Sequence, residues 1–209
     1  MRIGVFGGSF DPIHLGHLIV AQAAAEILDL DEVRFVLARQ QPFKDGAHAA
    51  SVEDRREMLV LALRGNPRFV VDTSELDREG KSYTVDTLRS LRDQFPQDQL
   101  FLMVGADAAG TLSTWSRAEQ LPDLAQIVAL SRVDDPPPES ELIGRRIKVP
   151  SIDISATEIR NRRAAGRSIR YHVPPDVFDY IETRGLYVSE AECSNKSSPR
   201  LSAPGSTAN

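Results

Sequence analysis

The sequence predicts an α/β fold built on a doubly wound, mostly parallel sheet, with a small helical part at its C-terminal end. Three observations carry this prediction. Short apolar runs without polar alternation are typical of strands that are buried on both faces. Segments with apolar residues at helical spacing separate these runs. The first strand, helix and second strand follow at the spacing of a βαβ unit, whose crossover is right-handed.

The elements follow from local signals along the chain. Apolar runs predict strands over residues 3–6, 33–38, 69–71, 100–104, 127–130 and 147–149. Helical spacing predicts helices over 14–28, 52–63, 85–95, from 155 onward and from 173–175 through 181. Ser51 with Asp54 predicts a capped start for the second helix, and Pro174-Pro175 suits the first turn of the last one.

Length and composition restrict the class of protein. The 209 residues are 41% hydrophobic and 26% charged, which is ordinary for a globular chain, and we expect one domain over 1–188. Residues 189–209 are polar and predicted to be disordered. The net charge of −5 argues against non-specific nucleic-acid or membrane-surface binding as the main function. The single cysteine, Cys193, and the absence of a leader or membrane span predict a cytoplasmic protein.

Residues 7–17 form the first candidate site. Gly7-Gly8 is predicted to end the first strand in a tight loop, where glycine permits a positive φ and close approach of a ligand. His14 and His17 are three residues apart, so they project from the same side of the helix start. A helix N-terminus favours anions. The stretch therefore predicts a phosphate-binding site.

Other interpretations of the two histidines are less favoured. Zinc needs three or four ligands, and neither Cys193, His48 nor His172 is evidently placed to complete a set. The histidines could also be ordinary polar residues at a helix start. A dinucleotide fingerprint fails because the glycines do not have the G-x-G-x-x-G spacing.

Two signatures give these residues a family context. Residues 7–17 read G-G-S-F-D-P-I-H-L-G-H, which resembles the first signature of the nucleotidyltransferases that carry an H-x-G-H motif. Residues 154–160 read I-S-A-T-E-I-R, which resembles the second signature of that family, I-S-x-T-x-I-R. The resemblance implies a Rossmann-like sheet of nucleotidyltransferase type. Ser155 to Glu158 also forms an S-x-x-E capping box, which by itself indicates only a well-capped helix.

Three further segments resemble the nicotinate-nucleotide adenylyltransferases within that superfamily: residues 72–88, Gly105-Ala106-Asp107 followed by Trp115, and residues 171–187. The resemblance implies adenylyl transfer from ATP to nicotinate mononucleotide, giving deamido-NAD and pyrophosphate, a step of NAD biosynthesis. One segment departs from the pattern, because Gln41-Pro42-Phe43 stands before Lys44 where the family pattern has Pro-Pro-His.

The resemblance also implies roles for individual residues. The expected catalytic residues are His14, His17, Lys44 and Arg160. The expected ATP-binding residues are Gly7, Gly8, Ser9, Phe10, Gly105, Asp107, Ser155 and Thr157. The expected nicotinate mononucleotide-binding residues are Tyr83, Thr84 and Trp115, with the amides at the helix start receiving the nicotinate carboxylate and the indole stacking on the pyridine ring. Mg²⁺ is expected to arrive with ATP, because no carboxylate cluster is evident to hold it.

Several alternatives stay open on the sequence. A sibling enzyme could use nicotinamide mononucleotide or phosphopantetheine as the acceptor. A catalytically silent nucleotide-binding protein could share the scaffold, although it would not need His14, His17, Ser155 and Arg160 together. Four arginines are interpreted as a solvated face: Arg162, Arg163, Arg167 and Arg170. The rival interpretation is an RNA-binding module that uses the arginines of 160–170. The oligomeric state is open, a homo-oligomer included.

Overall fold

The computed structural model describes residues 1–39, 48–76, 83–131 and 139–189, and it shows a six-stranded sheet with helices on both faces. The strands are β1 Arg2–Gly8, β2 Glu32–Leu37, β3 Phe69–Asp72, β4 Gln99–Gly105, β5 Gln126–Ser131 and β6 Arg145–Lys148. The helices are α1 Leu15–Ile27, α2 Val52–Leu63, α3 Thr84–Gln94, α4 Ala106–Gly110, α5 Leu121–Leu124, α6 Ala156–Ala164 and α7 Pro175–Arg184.

The sheet has the order β3-β2-β1-β4-β5-β6, and every pairing between these described strands is parallel. The prediction of a doubly wound α/β fold is confirmed. The chain builds the sheet outward from β1 in one direction and then outward from β4 in the other. The order therefore reverses between β1 and β4, which is where open parallel sheets place their ligands.

Two apolar layers cover the two faces of the sheet. On one face the small residues Ala21, Ala24 and Ala25 of α1 are fully buried, and α2 and α7 pack in the same cluster. On the other face Leu88 and Leu91 of α3 pack in a second cluster with the segment around α4 and α5. Small side chains let α1 pack closely against the strands. The N-terminal end of α1 lies at the carboxyl end of β1, where both line the same groove.

Local capping explains why some helix bounds are predictable and others are not. The Ser51 Oγ accepts a hydrogen bond from the Asp54 amide at 3.0 Å, so α2 begins at the residue that the capping pattern predicts. The short helices α4 and α5 are absent from the sequence prediction, because neither is long enough to show an apolar period. The segment around Trp115 forms two 3₁₀ turns, Leu112–Thr114 and Ala118–Gln120.

Some sequence predictions lie outside the described residues. These are the roles of Lys44 and of residues 41–43, and the disorder of the tail beyond residue 189. None of the helices in the part of the chain that the structure describes is long and apolar enough to cross a membrane.

Candidate active site

The carboxyl ends of β1 and β4 lie side by side and open onto two adjoining cavities. The prediction of a glycine loop after β1 needs correction, because Gly7 and Gly8 stay in the strand and pair with Val36 and Leu37 of β2. The left-handed backbone falls instead on Phe10, at φ 44°. Gly8 is required for another reason: a Cβ there would lie 2.9 Å from the Phe10 ring, so only glycine lets that ring fold back over the strand.

The loop after β1 is fixed by the buried carboxylate of Asp11, which is only 4% exposed. Its Oδ2 accepts a hydrogen bond from the Ala49 amide at 2.8 Å, and its Oδ1 accepts one from the Tyr187 hydroxyl at 2.7 Å. Burial raises the pKa of Tyr187, and the Asp11 charge adds to the shift, so the phenol stays a donor. Asp11 therefore joins the loop, the segment before α2 and the C-terminal end of the fold.

His14 and His17 lie on the same side of the start of α1, as their spacing predicts, and their rings stack. Their ring centroids are 3.6 Å apart with 28° between the planes. The His14 amide donates to His17 Nδ1 at 3.3 Å, which places the proton of a neutral His17 ring on Nε2. The Phe10 ring packs edge-on against His17 with centroids 5.3 Å apart. The loop thus holds His17 with its Nε2 as the donor left for a ligand.

Both imidazoles are neutral at pH 7. Burial lowers the pKa of His14 to about 4. Burial also holds the pKa of His17 well below its usual 6.5, and the neighbouring His14 lowers it further. The Nδ1 atom of His14 is buried without a hydrogen-bond partner among the described residues. The pair therefore offers hydrogen-bonding groups to a phosphate, while the positive charge must come from elsewhere.

The N-terminus of α1 contributes less to anion binding than the sequence predicts. The amide of Leu15, the first residue of the helix, donates to the His172 carbonyl at 3.0 Å. That amide is therefore not available to a ligand. The segment that carries His172 lies far along the chain, and no local sequence signal indicates this contact.

The second signature forms the N-terminus of α6, opposite the histidines. Ser155 Oγ accepts from the Glu158 amide at 3.1 Å, so the capping interpretation of the S-x-x-E box is confirmed at this bond. Arg160 donates from Nη1 to the Asp11 carbonyl at 2.7 Å and from Nη2 to Thr157 Oγ1 at 3.2 Å. The two signatures are thus in direct contact, and Arg160 brings a permanent positive charge to the side of the groove.

A groove of about 560 Å³, with mixed polar and apolar lining, runs between the two signatures. Ten of the predicted residues line it: Gly8, Ser9, Phe10, His14, His17, Gly105, Asp107, Ser155, Thr157 and Arg160. Gly7, an expected ATP-binding residue, lines the neighbouring cavity and not this groove. The Asp11 carboxylate, which lines the groove, already accepts several hydrogen bonds from the protein. Within the described residues, no group of three or more His, Cys, Asp or Glu side chains is placed to hold a metal ion.

The second cavity, of about 380 Å³, is more apolar and opens beside the first. The three residues expected to bind the acceptor line it: Tyr83 and Thr84 at the start of α3, and Trp115. The indole Nε1 of Trp115 donates to Thr111 Oγ1 at 3.4 Å, which orients the ring. The cavity and the groove share part of their lining: Phe6, Gly8, Gly105, Asp107 and Ala108. A ligand in one cavity can therefore reach a ligand in the other.

Sequence reasoning misses several residues that shape the site. Arg55 is 1% exposed and donates from Nη1 to the carbonyls of Ser9 and Ala38, at 2.8 and 2.9 Å. Asp11 and Tyr187 enter the sequence prediction only as parts of motifs. Arg55 stands between Asp54 and Arg56 in a charged stretch near the start of α2, so no local sequence signal singles it out.

The arginines of 160–170 are not a uniformly solvated face. Arg163 is 8% exposed and forms an ion pair with Glu182 at 3.2 Å. Arg162 donates to the Ser168 carbonyl, and the Arg170 guanidinium lies 4.4 Å from the Phe178 ring centroid. Arg163 therefore joins α6 to α7, and the interpretation as a solvated face is wrong for this residue. Arg167 and Arg170 are exposed, as that interpretation predicts.

Comparisons with known proteins agree with this geometry. The cytidylyltransferase-like family model matches residues 5–162. A Thermus thermophilus protein named "Probable nicotinate-nucleotide adenylyltransferase" is 53% identical over 187 residues, which cover 90% of this chain and 100% of that protein. A Geobacillus thermodenitrificans protein of the same name is 41% identical over 199 residues, which cover 92% of this chain and 90% of that protein.

Solved structures show the same fold at lower sequence identity. Plasmodium falciparum nicotinic acid mononucleotide adenylyltransferase complexed with NaAD superposes with a TM-score of 0.72 at 20% identity, covering 89% of this chain and 97% of that one. The same protein complexed with APC gives a TM-score of 0.69 at 20% identity, covering 89% and 96%.

Proposed function

The chain belongs to the nicotinate-nucleotide adenylyltransferases within the cytidylyltransferase-like family, and we propose that it transfers the adenylyl group of ATP to nicotinate mononucleotide. The products are deamido-NAD and pyrophosphate. The observation that carries this proposal is the pair of adjoining cavities at the switch point of the sheet. A groove lined by imidazoles, hydroxyls and a guanidinium, which suits a triphosphate, meets a more apolar pocket that suits an aromatic ring.

We assign ATP to the groove and the acceptor to the apolar pocket. Arg160 and the hydroxyls of Ser155 and Thr157 lie along one side of the groove and would contact phosphate oxygens. Asp107, in the lining shared by both cavities, is the expected acceptor for a ribose hydroxyl. The Plasmodium falciparum structures, one complexed with NaAD and one with APC, are in line with nucleotide ligands on this fold.

The acceptor pocket has features that suit nicotinate. Trp115 offers a flat indole against which a pyridine ring can stack. The hydrogen bonds within α3 begin at the amides of Asp86 and Thr87, which both donate to the Tyr83 carbonyl. The amides of Tyr83 and Thr84 precede them, at the positive end of the helix, and would receive the nicotinate carboxylate.

The chemistry needs no protein nucleophile. A 5′-phosphate oxygen of the acceptor forms a bond to the α-phosphorus of ATP, while the bond from that phosphorus to the bridging oxygen breaks and pyrophosphate leaves with the electron pair. The attacking phosphate is already an anion at pH 7, so no base must remove a proton. Catalysis then consists of aligning two anions and stabilising the charge that develops between them.

The histidine pair is placed to stabilise that charge. His17 is neutral with its proton on Nε2, so it would donate a hydrogen bond to the α-phosphate as charge builds there. His14 lies in stacking contact with it in the same groove. Lys44, outside the described residues, remains a proposed contributor to triphosphate neutralisation. Mg²⁺ would enter as part of the Mg-ATP substrate.

The direct test is pyrophosphate release from Mg-ATP in the presence of one acceptor at a time. Nicotinate mononucleotide is expected to support turnover, with nicotinamide mononucleotide and phosphopantetheine far slower. Equal turnover with the nicotinamide compound would contradict the assignment of the carboxylate to the start of α3. Absence of turnover with every acceptor, despite tight ATP binding, would favour a silent nucleotide-binding protein.

A further inference from the structure

An ion pair ties together the two walls of the acceptor pocket. Arg117 Nη2 lies 2.6 Å from Asp86 Oδ2. Arg117 follows Trp115 and Ser116, which line the pocket on one side. Asp86 lies in the first turn of α3, between Thr84 and Thr87, which line the other side. Arg117 has left-handed backbone, with φ 55° and ψ 40°, a conformation that a non-glycine residue adopts rarely.

The position of Asp86 raises an electrostatic problem for the proposed acceptor. A carboxylate in the first turn of a helix is stabilised by the amides and dipole at that end. The nicotinate carboxylate would approach the same end of the same helix, so the two negative charges repel each other. Glu75 adds a second carboxylate to the pocket lining, where its Oε1 accepts from Thr87 Oγ1 at 2.6 Å.

Two guanidinium groups face Asp86 among the described residues. Arg117 is in direct contact, whereas Arg89 on the next turn of α3 lies at 3.7 Å. The Asp86 and Arg117 side chains are each more than a third exposed, so water screens them partly. Because the pair lies just behind the pocket wall, the charge of Arg117 reduces the repulsion that a carboxylate in the pocket would otherwise meet.

We propose that Arg117 is a specificity-determining residue for the acceptor: by pairing with Asp86 it neutralises the first turn of α3 and so favours an acidic mononucleotide over its amide analogue. This inference rests on the proposed function. Arg117 and Asp86 do not line the cavity themselves, so they act through the electrostatic potential at its wall and are not catalytic residues.

The test compares Arg117→Gln, Asp86→Asn and the double variant with nicotinate and nicotinamide mononucleotides as acceptors. Arg117→Gln is expected to lower kcat/KM for the nicotinate acceptor about 2- to 5-fold, the size of a charge effect in a first helical turn, and to leave the amide acceptor and the KM for ATP nearly unchanged. Adding Asp86→Asn is expected to restore the ratio between the acceptors, because the unpaired charge is then gone. Arg64→Gln, which removes an exposed arginine that follows α2, is the control for total charge.

Three results would overturn the inference. The first is an equal loss with both acceptors, which would mean that the pair only holds the pocket walls in place. The second is a double variant that does not regain the preference. The third is an Arg117→Gln enzyme with unchanged kinetics. Failure of the proposed function would be seen separately, as absence of turnover by the wild-type protein with either mononucleotide. The role of Arg117 would then be tested by calorimetry, by comparing the affinities of the same variants for the nicotinate and nicotinamide mononucleotides.

Discussion

The Arg160 guanidinium donates to the main-chain carbonyl of Asp11 at 2.7 Å, although the two residues are 149 positions apart in the sequence. Asp11 belongs to the loop of the first signature and Arg160 to the helix of the second. The bond therefore fixes the width of the groove between the histidines and α6. Charge-assisted hydrogen bonds of this kind are stronger than neutral ones. The groove is a product of contacts between remote segments of the chain.

Replacing His17 with alanine is expected to lower kcat roughly 10²-fold, because a preorganised donor to the transferring phosphate is lost. Steady-state pyrophosphate release with saturating Mg-ATP and nicotinate mononucleotide measures it. His172→Ala is the matched control, since the part of His172 that holds α1 is its main-chain carbonyl. A folded His17→Ala enzyme with near wild-type kcat would contradict the role given to this imidazole.

Acidification is expected to destabilise the fold through the buried histidines. The pKa of His14 is about 4 in the folded protein and 6.5 in its ordinary state, so between these pH values the unfolded chain binds more protons. The free energy of unfolding therefore falls as the pH is lowered from 6.5 towards 4, by about 2 kcal/mol for His14 between pH 7.5 and 5. Urea unfolding at both pH values measures this loss.

His14→Gln provides the comparison for the acid effect, because glutamine does not titrate. Its unfolding free energy is expected to decline less between pH 7.5 and 5 than that of the wild-type protein. An identical decline in both proteins would show that His14 is not the group responsible.

Tyr187→Phe is expected to lower the free energy of unfolding by about 1–2 kcal/mol, because the buried Asp11 carboxylate loses one of its donors. Thermal or urea unfolding at neutral pH measures the change. Tyr171→Phe removes a hydroxyl from a side chain that is 82% exposed, and it should shift the stability by less than ~0.5 kcal/mol. Equal effects of the two variants would mean that the Asp11 contact contributes nothing.

Gly16→Ala is expected to reduce activity without reducing stability. A Cβ at Gly16 would lie 3.0 Å from His14 Nδ1, and the His14 ring cannot move back freely because it stacks on His17. A displaced imidazole costs rate, on the order of 10-fold or more, while alanine is the better helix former by up to ~1 kcal/mol. Parallel measurement of kcat and thermal midpoint separates the two effects.

Gly144→Ala serves as the control for this substitution, because a Cβ there meets only the Gln126 side chain, at 3.4 Å, and the Ile127 carbonyl, at 3.7 Å. It should keep both activity and stability near the wild-type values. A Gly16→Ala enzyme with full activity would show that the histidine pair tolerates displacement.

The sequence predicts the elements and the order of the two signatures well where the signals are local. The Ser51 cap sets the start of α2, and the spacing of His14 and His17 predicts their shared side. The left-handed residue after β1 could not be predicted, since propensity favours glycine and tertiary packing places it at Phe10. Contacts between residues that are far apart in the sequence cannot be predicted from local patterns, as the hydrogen bond between Tyr187 and Asp11 illustrates.

The sequence alone also cannot predict how each site residue interacts with a ligand. A histidine motif indicates phosphate chemistry, but the protonation state of the pair depends on burial, which only the packed structure supplies. The electrostatic surroundings of Arg117 also depend on the packed structure, because its partner Asp86 lies 31 positions earlier, on α3. The resemblance to a family supplied residue types, and the structure supplied their electrostatic surroundings.

The contacts of Asp11 with Arg160 and Tyr187 have a consequence for synthesis on the ribosome. The loop that carries the first histidine emerges early, whereas its two anchors emerge 149 and 176 residues later. Until then the Asp11 carboxylate has only the amides of Ala49 and Ala50 as donors, and a nascent chain with most of its strands already made cannot complete the groove. Contacts of such long sequence separation carry a loop-closure cost that slows folding. Chains interrupted before residue 187 therefore lack the Tyr187 donor to Asp11, even where their sheet is largely in place.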